Sequence, residues 1–422
     1  METLRYGFVG AGFITNFHLR ALEHVRGIEV TGLVSRTPPH ELAASVRSRN
    51  LGEARVYETV REMAHHVDIV ALCSPNAGRV DAMEQIARAV ADGATLRGIV
   101  CEKPLGRNLA EARRVAELAR TIAVPTAYFE NQIHMKMLQQ ARAQLTDVSA
   151  AMGPLALARS GEEHAGPHND WFWDPVRQGG GVLSDMGCHC LAVGWYLLTP
   201  NGKPPRHLVP VSVSADVGLL KWGLPRWRDE LRERHGVDYA LTPAEDFATG
   251  IVTYADPETG QRSKAQFTVS WMFDKQGLRL LIDGVGPGYA LEANSLRSPL
   301  EVFIGDVAAA SVADAELGLE KATASQGLLA LQPNEPDLYG YTDENLDAVR
   351  AFRQGRSALL DFDYGVEIVK LTMAAYLSAE ERRVVDLTDP ATLARLEDYV
   401  PLIQQGRGAA QLLPDAPRPS AG

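Results

Sequence analysis

The start of the chain restricts its fold more than any other stretch. Arg5 to Val9 is a short apolar run that leads into Gly10-Ala11-Gly12-Phe13-Ile14-Thr15 and then an amphipathic segment to Leu22. Strand, glycine turn and helix in this order form the opening of a dinucleotide-binding unit. Gly10 makes the tight turn, and Gly12, followed by Phe13 and Ile14, lets the backbone approach a pyrophosphate at the helix N-terminus. Thr15 occupies the third glycine position of the fingerprint, so helix and strand are expected to sit slightly further apart.

Ile28 to Val34 reads as the second strand, where an acid at the end would take the adenosine ribose hydroxyls. This chain has Ser35-Arg36-Thr37 instead, and the next acid is Glu41. A hydroxyl followed by Arg suits a 2′-phosphate, because guanidinium pairs with phosphate in bidentate fashion. Arg36 stacked on adenine would tolerate either cofactor. The cofactor is therefore expected to be NAD or NADP, with a tilt toward NADP. Val67 to Cys73 with the Ser74-Pro75-Asn76 turn, a helix over Arg79 to Ala91, Gly98 to Cys101 followed by Glu102-Lys103-Pro104-Leu105, a helix over Asn108 to Ile122 and a strand to Phe129 continue the alternation. That alternation makes a doubly wound parallel sheet, a Rossmann domain over residues 1–127. Lys103 falls with Glu102 at a strand's C-terminal end, where open α/β sheets bind ligands, and both, with Ser74, Pro75 and Asn76, are expected to contact the cofactor. Pro104 after it makes a cis bond a candidate.

Beyond residue 130 the pattern changes. Pro154 to Arg159, Val211 to Leu220, Phe247 to Tyr254, Lys264 to Met272, Leu278 to Ile282, Ala290 to Ala293 and Leu300 to Ile304 read as strands without helices between most of them. That is an antiparallel sheet. Helices are expected over Leu138 to Thr146, Val182 to Leu198, Asp343 to Gln354 and Tyr364 to Glu381. Lys221 to Leu241 is a Trp- and charge-rich insertion without a clear pattern. A second α/β domain is thus expected over 128–407, and 408–422, with three prolines among small residues, reads as a disordered tail.

A formal net charge of −11 argues against nucleic acid or an anionic membrane as the main partner. No run of 18 apolar residues exists to span a bilayer. Met1 to Tyr6 enters a strand directly, unlike a signal peptide. Four cysteines, with no CxxC pair, read as reduced thiols of a cytoplasmic protein.

The chemistry-bearing stretch of the second half is Gly179-Gly180-Gly181-Val182-Leu183-Ser184-Asp185-Met186-Gly187-Cys188-His189-Cys190. Three glycines let backbone pass close to a bulky ligand. Asp185 and His189, spaced i, i+4, share a helix face, which puts a carboxylate beside an imidazole that titrates near neutral pH. A helix-start Asp and a core His are the competing, structural reading. Upstream, Gly161 to Trp173 holds His164, His168, Trp171 and Trp173. Polar tips beside aromatic faces suit a carbohydrate pocket, with the two histidines as contacts and the two tryptophans as walls. Core tryptophans in an ordinary loop are the alternative. A metal held by His164, His168, Asp185 and His189 ranks below the nicotinamide reading, and no metal is expected. Glu344 and Asn345 read chiefly as caps of the helix they open, with a reach to the substrate as the alternative.

These stretches taken together resemble the glucose–fructose oxidoreductase / inositol dehydrogenase / MocA family: Val9-Gly10-Ala11-Gly12, Ser74-Pro75-Asn76, Cys101-Glu102-Lys103-Pro104-Leu105, Gly179 to His189, and Ala374 to Ala379 through Val385-Asp386-Leu387. The similarity covers roughly residues 5–388. It implies a Rossmann domain plus an α/β domain with a large, mostly antiparallel open sheet, and assembly as a homodimer or homotetramer through that sheet. It implies that Lys103, Asp185 and His189 are catalytic, and that the reaction interconverts a secondary alcohol and ketone of a sugar, glycoside or cyclitol. His189 is the better base; Lys103 would stabilise the developing alkoxide and Asp185 would orient the hydroxyl or the imidazole. The reverse assignment, with Lys103 as base, stays open. Two other activities fit the same fold: a glycosidase that cleaves by transient oxidation and elimination, and a non-enzymatic dinucleotide sensor.

Overall fold

The computed structural model describes residues 2–275, 277–295, 300–304, 327–331 and 334–413. It divides into two compact units. The first comprises Met1–Lys136, Tyr339–Lys370 and Leu396–Tyr399, and the second Met137–Leu338, Leu371–Arg395 and Val400–Gly422.

The first unit is built on β1 (Leu4–Val9), β2 (Ile28–Val34), β3 (Arg55–Val56), β4 (Ile69–Leu72), β5 (Gly98–Glu102) and β6 (Thr126–Phe129). Their order is β3-β2-β1-β4-β5-β6, with all pairs parallel. This is the order of a doubly wound dinucleotide-binding sheet. Strands covered on both faces read as continuous apolar runs, and every residue of β4 and β5 is buried. Helices Phe13–Leu22, Arg79–Ala91 and Leu109–Thr121 form the crossovers. Asn108 caps the last of these by accepting from Glu111 N at 3.0 Å. The helix Tyr341–Arg353 returns to this unit from far along the chain. Its Phe352 ring lies so close to β5 that a Cβ at Gly98 would stand 2.2 Å from it, so glycine there is a packing requirement.

The second unit carries β7 (Leu157–Glu163), β8 (Val209–Gly218), β9 (Phe247–Ala255), β10 (Arg262–Ser270), β11 (Arg279–Gly286) and β12 (Tyr289–Asn294). Two further strands, β13 (Leu300–Ile304) and β14 (Gly327–Leu331), pair with each other, and β15 (Val385–Asp386) closes the large sheet. Its order is β12-β11-β7-β10-β9-β8-β15; β7 and β10 run parallel and every other pair is antiparallel. The helix Cys188–Leu198 is buried along its whole length against β7 and β10. A Cβ at Gly194 would come within 2.7 Å of Ala265 Cβ, so the helix lies low on the sheet. Trp195 anchors it, donating from Nε1 to Leu208 O at 3.0 Å and stacking on Tyr254.

The insertion takes a definite form. Asp246 accepts from Leu220, Lys221 and Trp222 N at 2.7–2.8 Å, and a helix over Pro225–His235 follows, with Pro in its first turn and Gly236 left-handed at its end. In the stretch read as a disordered tail, Ala409–Leu412 forms a helical turn; residues 414–422 lie outside the described residues. Among the described residues, no helix is long and apolar enough to cross a membrane.

Candidate active site

In the first unit Gly10 has φ +107°, and a Cβ there would lie 2.6 Å from Cys73 O. The turn after β1 therefore closes against β4 only with glycine. Gly12 begins the helix without a side-chain cap, and a Cβ on it would meet nothing within 4 Å. No acid stands in the first turn. A helix start with no side-chain cap, no negative charge and open space in front fits a pyrophosphate. Phe13 and Ile14 are half-buried in this turn. Thr15 is buried, and its Oγ1 donates to Gly10 O at 3.0 Å. Where a third glycine was expected, the hydroxyl ties the helix back to the turn. Ser35 is half-buried and Arg36 exposed just past β2. Pro75 is exposed and Asn76 buried, the latter starting a 3₁₀ turn.

Lys103, half-buried, follows β5 and precedes a cis Lys103–Pro104 bond. Its N–H donates to Glu102 Oε2 at 3.0 Å, and its carbonyl accepts from Arg79 Nη2 at 2.9 Å. Glu102, expected to face the cofactor, is buried with both oxygens engaged inside the protein: Oε1 lies 2.8 Å from His18 Nε2. Burial alone would raise its pKa. The His18 hydrogen bond, with Lys103 and Arg79 nearby, more than offsets burial and holds the carboxyl below its usual range. Glu344 and Asn345 do not cap their helix, since Gly340 is its N-cap. Both are buried one turn in. Burial, reinforced by Glu102 and Glu130, pushes the Glu344 carboxyl well up, and neither of its oxygens has a hydrogen-bond partner.

His18, Glu102 and Glu344 bring donor atoms within 4.8 Å of one another, the one such group of three among the described residues. Both His18 nitrogens and both Glu102 oxygens already have hydrogen-bond partners, so these two belong to a hydrogen-bonded network beside which the Glu344 carboxyl is buried.

In the second unit the three glycines serve the protein itself. Gly179, left-handed at φ +102°, ends the turn Pro175–Gln178. A Cβ at Gly180 would lie 2.0 Å from Tyr376 Oη, and one at Gly181 would lie 2.2 Å from Glu245 O. The expectation that they make way for a ligand is corrected accordingly: they make way for Tyr376 and Glu245. The buried Glu245 accepts from Gly181 N and Leu183 N at 3.0 Å and from Tyr376 Oη at 2.6 Å. Burial raises its pKa to about 7 against the pull of these donors.

The expected α-helix from Val182 begins instead as a π-turn, Leu183–Gly187, and becomes α-helical at Cys188. Such turns gather at functional sites. Asp185 lies in the π-turn and His189 in the first α-turn, and both are buried. His164, at the end of β7, is also buried; its Nε2 stands 3.9 Å from Asp185 Oδ2, and its Nδ1 accepts from Gly166 N at 2.9 Å. The structure thus brings His164 to Asp185. His168 is exposed, and Trp171 is half-buried, stacked on Phe172. Trp173 is 1% exposed, boxed by Trp222, Tyr239 and Trp271, with Nε1 donating to Pro167 O. It is a core residue and not the pocket wall the sequence suggested. All four cysteines are buried and in no disulfide.

Sequence reasoning missed His18, Glu245 and Tyr376, and it read Asn345 as a cap where the structure places it in a buried network. A histidine on the apolar face of the first helix and an adjacent acid pair opening β9 were the available signals.

Residues 4–129 match the model described as oxidoreductase family, NAD-binding Rossmann fold, and residues 140–285 match the GFO/IDH/MocA C-terminal domain. The chain is 30% identical over 195 residues to the rhizopine catabolism protein MocA of Rhizobium meliloti, covering 45% of this chain and 55% of that protein. It is 29% identical over 241 residues to the D-glucoside 3-dehydrogenase of Escherichia coli K12, covering 56% and 66%. The matches thus span little more than half to two thirds of these relatives. Among solved structures, GenD2 from gentamicin A biosynthesis, crystallised with NAD, superposes with a TM-score of 0.71 at 24% identity over 92% of this chain and 97% of that one. A myo-inositol dehydrogenase from Sinorhizobium meliloti 1021, assigned as such without proof, superposes at 0.64 and 19% identity, over 91% and 100%.

Proposed function

The chain belongs to the Gfo/Idh/MocA oxidoreductase family, matching its two domain models in order, and on that premise we propose that it moves a hydride between a nicotinamide cofactor and a secondary alcohol or ketone of a sugar, glycoside or cyclitol. The carrying observation is the buried His164–Asp185 pair at a π-turn, with buried His189 in the α-turn that follows. Ionisable groups are rarely buried without a task.

The helix start at Gly12 would hold the cofactor's pyrophosphate through its first-turn N–H groups. The nicotinamide, when bound, supplies the hydride-carrying carbon. His189 takes the hydroxyl proton in oxidation and returns it in reduction. Asp185, with His164 beside it, orients the hydroxyl or the His189 ring. Lys103 donates a hydrogen bond to oxygen as it gains charge, an interaction stronger in the transition state than in the ground state. Ser35 and the exposed Arg36 support NADP over NAD. His168 and Trp171 remain substrate contacts in this reading, and self-association would use the open face of the large sheet.

The relatives named for D-glucosides and inositols direct the test. Sugars, glycosides and cyclitols are screened with NAD and NADP at the reduced-cofactor absorbance band. Stoichiometric reduction with one class supports the proposal. Detectable binding of neither cofactor would falsify it, and glycoside cleavage without accumulating reduced cofactor would replace it with the elimination reaction.

A further inference from the structure

The first unit contains a chain of buried hydrogen bonds that ends on Lys103. At its far end is Asn345, inside the helix Tyr341–Arg353. Its Nδ2 donates to Tyr341 O at 2.8 Å and lies 3.0 Å from His18 Nδ1; its Oδ1 accepts from Tyr6 Oη at 3.2 Å. A backbone carbonyl can only accept, which sets the amide nitrogen on the Tyr341 side. That nitrogen's second hydrogen then faces His18 Nδ1, making Nδ1 an acceptor. The ring is left as the Nε2–H tautomer, donating to Glu102 Oε1 at 2.8 Å. The other oxygen of Glu102 accepts the Lys103 N–H at 3.0 Å, and Arg79 holds the Lys103 carbonyl at 2.9 Å.

Tyr6, His18, Arg79, Glu102 and Asn345 are all buried. Glu102 and Asn345 have every interacting oxygen and nitrogen named here paired, and the cost of burying such groups is met only while the chain is whole. These bonds grip Lys103 by its main chain, on both sides of the Cα.

We propose that His18 and Asn345 are positioning residues: through Glu102 they fix the backbone of Lys103 and so the direction in which its ammonium is presented. This rests on the reading of Lys103 as a group that acts on the substrate oxygen. The geometry assigns the job to helices separated from Lys103 in sequence by most of a domain, through a ring whose Nε2 faces Glu102 and whose Nδ1 faces Asn345. A misplacement of about 1 Å in a catalytic group costs on the order of 100-fold in rate, so a loose Lys103 backbone should show in turnover and not in cofactor affinity.

The test uses three forms of the full chain: wild type, His18→Phe and His18→Gln. Phe fills the ring's space without a donor; the Gln amide nitrogen reaches the Nε2 position and restores the hydrogen bond to Glu102. Each is reductively ¹³C-methylated, and the Lys103 dimethylammonium signal, assigned by its loss in Lys103→Arg, is followed by NMR. In parallel, kcat and cofactor KM are measured with whichever polyol the screen identifies, alongside thermal melting. The expected result is a displaced Lys103 signal and a kcat lowered about 10- to 100-fold in His18→Phe, with cofactor KM within about threefold. His18→Gln should return the signal and most of the turnover. An unmoved Lys103 signal in folded His18→Phe overturns the proposal. So does a His18→Gln protein no better than His18→Phe, because the hydrogen bond would then be irrelevant. If His18→Phe does not fold, Asn345→Ser, which releases Nδ1 and keeps the ring, is judged by the same readings. Should the wild type turn over no polyol, the functional proposal fails while the NMR comparison still decides this one.

Discussion

Replacing Glu245 by Gln should remove a pH dependence from the stability of the second unit. The folded carboxyl titrates at about 7, against 4.5 for an ordinary glutamate. The direction follows from proton uptake: the folded state binds this proton more tightly than the unfolded chain does. Below pH ~4.5 both states are protonated and the full stability is present. As the pH rises toward 7 the unfolded chain releases its proton and the folded protein keeps it, so stability falls by about 1.4 kcal/mol per pH unit. Above 7 the loss levels off at about 3 kcal/mol, the product of that slope and the shift. The amide of the Glu245→Gln protein carries no such proton. Its nitrogen would confront the N–H groups of Gly181 or Leu183, but that penalty is the same at every pH. Denaturant unfolding of both proteins from pH 5 to 8 should therefore give a free-energy difference that moves by about 2–3 kcal/mol in favour of Gln as pH rises. Curves that stay parallel within about 0.5 kcal/mol would refute the assignment of a buried, neutral-range carboxyl at this position.

The remaining predictions concern the glycines, the base and the cofactor. Gly180→Ala should destabilise by about 1–3 kcal/mol through collision with Tyr376, and Tyr376→Phe in the same chain should recover part of it; simple additivity in a thermal-melt cycle would contradict the packing account. His189→Ala should abolish turnover while leaving nicotinamide cofactor binding, followed by fluorescence, within a few-fold of wild type. Arg36→Ala should weaken NADP by about 10-fold or more with NAD little changed, the value of a charge-assisted pair to the 2′-phosphate; equal losses for both would assign Arg36 to adenine stacking.

What the sequence made legible follows from local contrast. Ile28–Val34 and Arg79–Ala91 start and stop where their periodicity ends, because polar residues bound each apolar pattern. The helix Pro225–His235 escaped notice because Leu231 is its one buried residue, leaving no stripe to read. The π-turn at Leu183–Gly187 is invisible for the opposite reason: with every residue buried, apolar spacing cannot tell one helical period from another. Among the candidate site residues, Lys103, Asp185 and His189 stood out through their neighbours in sequence. The buried polar groups near them are paired with remote partners. Tyr376 meets Glu245 across 131 positions and Asn345 meets His18 across 327, and no local pattern records a hydrogen bond of that span.

The return of Tyr341–Arg353 to the first unit bears on how such a protein can be recombined. A gene segment ending near residue 136 encodes the whole parallel sheet, yet it lacks Ala348, Val349 and Phe352, which complete the apolar core over β1 and β5. It also lacks Asn345. A single crossover between two relatives would join one parent's sheet to the other parent's closing helix. Exchange of the second unit therefore requires that Tyr339–Lys370 and Leu396–Tyr399 stay with the parent of the first, with a joint at each boundary, and a chimera with a single joint should show its defect in the nucleotide-binding half, far along the chain from the splice.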